Sequence, residues 1–86
     1  MAKDKDCVID FVLDLNLLDN NYRYEFDYDG ECLIYMGRAL STEPLDCEHW
    51  QIRKFVYDNE QLLSVVFANG DSGANYNWTK RASYSY

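Results

Sequence analysis

Apolar and polar residues alternate with a period of two along much of this chain, the spacing of strands that bury one face. Residues 22–28 alternate throughout, with Tyr22, Tyr24, Phe26 and Tyr28 on one side and Arg23, Glu25 and Asp27 on the other. Asp29-Gly30 follows, a hairpin dipeptide suited to a turn with positive φ at both positions. Residues 31–40 then read as the returning strand. Gly37 inside it predicts a bulge or the close approach of another backbone. Ser41-Thr42-Glu43-Pro44 is a loop, because proline lacks a donor and restricts the residue before it. Residues 50–57 resume the strand pattern, Asp58-Asn59-Glu60 turns the chain, and residues 62–68 form an apolar run of strand length ending at Asn69-Gly70. Residues 81–86 alternate again, with Ala82, Tyr84 and Tyr86 on one side.

The N-terminal stretch alternates as well. Cys7, Ile9, Phe11, Leu13, Leu15 and Leu17 face Val8, Asp10, Val12, Asp14 and Asn16. A helix would put Asp6, Asp10 and Asp14 on one stripe with Leu13 and Leu17, so a long strand is the better fit. The leucine content leaves a helix open. The pattern predicts an all-β fold: an antiparallel meander of about six strands, closed as a small barrel or packed as a two-layer sandwich. Residues 1–86 read as one domain, with residues 1–20 available as an arm or an edge strand.

Length and composition sharpen this picture. A domain of 86 residues buries only about 60–68% of its open-chain surface, so assembly with a partner is a common source of further stability. The hydrophobic fraction of 48% and aromatic fraction of 16% argue against disorder. The net charge of −7 lies entirely in residues 1–46, which hold eleven acids and four bases; residues 47–86 hold four of each. Such a surface repels phosphate, so free nucleic-acid binding is not expected. No apolar run approaches a membrane span, and Asp10, Asp14 and Asn16 interrupt the one candidate for an export signal. Three cysteines, Cys7, Cys32 and Cys47, are an odd number. Without an export signal they are expected as reduced thiols packed among apolar neighbours.

The chain offers little catalytic chemistry. Cys47 and His49 are metal-ligand types two residues apart and could join Cys7 and Cys32 in a three-cysteine, one-histidine zinc set, but no CxxC pair is present. A thiol nucleophile with His49 as its base is weaker still. Asp27, Asp29 and Glu31 lack the order of a calcium loop and read as a solvated row. No glycine-rich phosphate loop is present. The chain is therefore expected to be a non-enzyme without a cofactor. Its aromatic C-terminal segment, ending Tyr84-Ser85-Tyr86, predicts a terminus docked on its own sheet or on a neighbouring subunit. Trp50, Trp78, Tyr84 and Tyr86 are the candidate structural or interface anchors, with Arg53 and Arg81 as partners for carboxylates.

Residues 28–86 resemble a group of short virion proteins of tailed bacteriophages and prophages. The resemblance rests on Tyr28-Asp29-Gly30, Ile34-Tyr35-Met36-Gly37-Arg38-Ala39, Trp50-Gln51-Ile52-Arg53-Lys54 with Tyr57, and Phe67-Ala68-Asn69-Gly70. It ends on Trp78-Thr79-Lys80-Arg81-Ala82-Ser83-Tyr84-Ser85-Tyr86. Leu45 stands where that group often has a glycine after the proline, and Thr79-Lys80 where it often has an acidic pair. The resemblance implies a virion structural or adaptor protein in the neck, tail, fibre-attachment or capsid surface. It would be made in the bacterial cytoplasm, bind other virion proteins and form a homo-oligomer. A small acidic phage protein that binds and inhibits a host protein is the alternative.

Overall fold

The computed structural model describes residues 21–86. Four strands form one open antiparallel sheet in chain order: β1 (Tyr22–Asp29), β2 (Cys32–Leu40), β3 (Gln51–Asp58) and β4 (Gln61–Phe67). The meander and its antiparallel pairing follow the sequence pattern. A closed barrel does not form, and the described residues hold four strands, not six. The expected strand over residues 7–17, the arm over residues 1–20 and Cys7 lie outside the described residues.

The turns explain the pairing. Asn59 and Glu60 join β3 to β4 with φ of 52° and 69°, the two left-handed positions of a type I′ loop. At the β1–β2 turn Asp29 already pairs with Cys32, so the loop is Gly30-Glu31 and not Asp29-Gly30. Gly30 takes the positive φ, 65°, at the first loop position. The register shifts once in each hairpin, where Ile34 and Leu63 are left between paired neighbours. Gly37 is not a bulge. It pairs with Glu25 on one side and Ile52 on the other, and indole rings, not a backbone, lie against it.

Each face of the sheet carries a core. Leu33, Met36 and Phe55 are buried on one, with Tyr24, Phe26 and Tyr57 packed against them. Ala39, Trp50, Ile52, Ala68 and Trp78 are buried on the other, joined by Tyr35, Leu45, Tyr76 and Tyr84. Fully burying a side chain such as Leu33 or Ile52 contributes about 1.5–3 kcal/mol. The second core exists because the chain returns over the sheet after β4. A tight turn at Ala68–Gly70 ends the strand: Asn69 and Gly70 take positive φ, 52° and 70°, and the Asp71 N–H donates to the Ala68 carbonyl at 2.9 Å, so the dipeptide makes the left-handed turn that its residues suit. The chain then bonds back to Trp50, whose N–H donates to the Tyr76 carbonyl at 2.8 Å while the Tyr76 N–H donates to the Trp50 carbonyl at 3.0 Å.

Residues 78–83 correct the reading of 81–86 as a strand: Trp78–Ser83 is a 3₁₀ helix. The reason lies at its start. The Asn77 side-chain oxygen accepts from the Thr79 N–H at 2.9 Å and caps the helix. Asn77 is the one buried polar side chain among the described residues. Its amide also donates to Asp46 Oδ1 at 2.7 Å, and its backbone N–H donates to the Tyr84 hydroxyl at 2.8 Å. With those groups satisfied, burial costs little.

Candidate functional site

Five of the six candidate anchors meet on one face. Trp50 is fully buried, and its indole N–H donates to the Pro44 carbonyl at 2.9 Å. Trp78 lies beside it, ring centroids 6.0 Å apart. The Arg81 guanidinium sits 4.4 Å from the Trp78 ring centroid, donates from Nε to Asp27 Oδ2 at 2.9 Å, and donates from Nη1 to the Trp78 carbonyl at 3.0 Å. Tyr84 meets Tyr76 edge-on at 5.0 Å. Tyr86 rests against Tyr35 at 5.6 Å, and its hydroxyl donates to the Arg81 carbonyl at 2.8 Å. The terminus is thus docked on its own sheet, and these side chains are occupied by contacts within the chain. Burial, helped by Tyr35 and Tyr84, pushes the Tyr86 phenol well above its ordinary range.

Arg53 stands apart on the opposite face. Its guanidinium lies 5.3 Å from the Phe67 ring centroid and donates to Gln51 Oε1 at 3.3 Å. No carboxylate of the described residues pairs with it. Burial and the neighbouring charge of Arg38 lower its pKa.

The surface left over is β4. Gln61, Leu62, Leu63, Ser64 and Val65 are all exposed, and Leu63 keeps 65% of its surface. No residue of β4 carries a charge. β1, the other outer strand, carries Arg23, Glu25, Asp27 and Asp29. Charged residues blunt an outer strand against pairing with another chain, and β4 has none of that protection. The sequence pattern read this run as an apolar segment of strand length and did not single it out as a surface. Its lack of charge over seven residues was the available signal.

A second cluster lies in the loop between β2 and β3. Glu43 Oε1 is 2.8 Å from His49 Nδ1 and accepts from Cys47 Sγ at 3.5 Å; the thiol also lies 3.2 Å from the Pro44 carbonyl oxygen. The His49 hydrogen bond holds the Glu43 carboxyl below the usual carboxylate range. Glu43 and His49 also border a cleft of about 500 Å³ with Tyr22, Arg38, Gln51 and Ser72. The zinc set imagined from sequence does not assemble. Cys32 begins β2 while Cys47 and His49 follow its far end, and Cys32 is disulfide-bonded. That bond also corrects the expectation of three reduced thiols; Cys47 is free. Glu43, which sequence spacing did not single out, takes its place beside Cys47 and His49.

No protein-family model, curated protein or solved structure matches this chain. Among the described residues, no helix is long and apolar enough to cross a membrane.

Proposed function

We propose that this chain is a non-enzymatic protein-binding component of a bacteriophage particle, and that it assembles with a second copy of itself through β4. The observation that supports this reading is the uncharged, exposed apolar outer strand beside a charged one. Each chain carries a net charge of −7, so two copies repel over most of their surface. β4 is where they can approach without setting like charges together. In a two-fold contact it meets the same apolar strand of the partner. Subunit binding adds directly to the stability of a small fold. The resemblance over residues 28–86 supports placing such an assembly in a virion, among other virion proteins.

The test is sedimentation of purified protein at tens of micromolar, with Leu63→Lys/Val65→Lys as the variant. The expected result is an oligomer for the native chain and a folded monomer, with unchanged far-ultraviolet circular dichroism, for the variant. A native chain that sediments as a monomer overturns the self-assembly. For the particle, mass spectrometry of purified phage should detect the chain at stoichiometric level; its absence from particles, with recovery on a host protein instead, overturns the virion reading.

A further inference from the structure

The loop between β2 and β3 brings three different metal-ligand types to one point. One ligand atom each of Glu43, Cys47 and His49 lies within 4.8 Å of the other two. Thiolate, imidazole and carboxylate together form the mixed donor set that suits zinc, whereas hard cations prefer oxygen alone. We propose that Glu43, Cys47 and His49 bind one zinc ion, leaving its fourth position open.

The distances allow it. Zinc holds sulfur at about 2.3 Å and nitrogen or oxygen at about 2.0–2.2 Å, which sets neighbouring donor atoms of a tetrahedron roughly 3.3–3.6 Å apart. Glu43 Oε1 is already 3.5 Å from Cys47 Sγ. The 2.8 Å approach of His49 Nδ1 to Glu43 has to open slightly, and the Cys47–His49 separation, within 4.8 Å, has to close by about an ångström. His49 is free to do so, because its side chain is 66% exposed.

The loop's backbone is fixed while its ligands stay adjustable. The Trp50 indole ties down the Pro44 carbonyl at 2.9 Å, and Arg23 Nη1 ties down the Glu43 carbonyl at 2.9 Å. Zinc entry replaces the Cys47 S–H with a sulfur–metal bond and releases that proton to solvent. An ion held by Glu43 and His49 borders the cleft that these two residues help to line, so its open position is reachable by water or a small anion. The site uses no residue of β4, so its failure and the failure of self-assembly are distinguishable.

Cobalt(II) serves as a coloured probe for zinc. Titrated into the full chain without a competing chelator, it should produce a thiolate-to-cobalt absorption band that saturates at one equivalent and disappears on adding zinc. Cys47→Ser should abolish the band, and His49→Ala should weaken metal binding by at least about tenfold. Circular dichroism checks each variant. Should Cys47→Ser fail to fold, His49→Ala decides alone, since its side chain is largely in solvent. Metal binding no tighter than millimolar overturns the proposal, as does tight binding that a folded His49→Ala variant leaves unchanged.

Discussion

The Trp78 indole lies so close over Gly37 that a Cβ at residue 37 would come within 2.5 Å of Cε3 and 2.9 Å of Cζ3. The same Cβ would meet Trp50 Cε3 at 3.0 Å. Neither ring can yield, because both are buried in the second core. Gly37→Ala should therefore destabilise the fold by about 1–3 kcal/mol through overpacking. Chemical denaturation followed by tryptophan fluorescence measures this, and a midpoint equal to that of the native chain would contradict the packing. Trp78→Ala removes the ring altogether and should cost more, about 3–5 kcal/mol.

Arg81 joins the returning segment to the sheet through Asp27, which is 54 residues away in sequence. Both side chains are about a third exposed, so solvent screens the pair. A double-mutant cycle of Asp27→Asn and Arg81→Met should give a coupling of about 0.5–1 kcal/mol. Arg81→Met alone should cost more than that coupling, because it also removes the donor to the Trp78 carbonyl and the cation over the Trp78 ring.

Glu60 holds a left-handed backbone, φ 69°, at the second position of the β3–β4 turn. Glycine takes that conformation without the Cβ penalty. Glu60→Gly should raise stability by up to about 1 kcal/mol, seen as a higher melting temperature. A lower melting temperature would show that the side chain contributes more than the strain removes.

Titration bounds the stable pH range on both sides. Asp71 accepts from the Gly73 N–H at 2.8 Å, the Tyr76 hydroxyl at 2.8 Å and the Asn75 amide at 3.2 Å. Those bonds, the backbone one foremost, lower its pKa. Its contribution to stability is complete above the unfolded-chain value of about 3.9 and is lost as pH falls through the lower folded value. Tyr76 is raised, chiefly by the Asp71 hydrogen bond, and Tyr86 is raised chiefly by burial. Their contribution is complete below about pH 10 and is lost as pH rises through the folded values. Melting temperature against pH should fall at both ends, and Asp71→Asn should flatten the acid limb. Ultraviolet titration should show Tyr76 and Tyr86 ionising late.

The two described cysteines differ in reactivity. Cys47 should be alkylated without reductant, and Cys32 only after reduction. Peptide mapping distinguishes them; alkylation of Cys32 in the unreduced protein would contradict its bonded state.

The chain's own pattern determined β1 to β4 to within a residue or two, because period-two alternation and turn residues act over short distances. Tyr22 to Tyr28 alternate, and Asn59-Glu60 takes the turn, whatever the rest of the chain does. Local pattern also placed aromatic anchors at Trp50, Trp78, Tyr84 and Tyr86. The use made of them depended on contacts across the fold. The start of the alternating segment, Arg81 to Ser83, joined a 3₁₀ helix from Trp78 because Asn77 caps it and Trp78 settles on Gly37, 41 residues earlier. Asp27 left a solvated row because Arg81 came to lie over it. The joining of Glu43 to Cys47 and His49 was invisible in spacing, since loop closure by Trp50 and Arg23 brought them together. The outer position of β4 likewise arises from an open sheet, in which, among the described residues, the last strand has a neighbour on one side only.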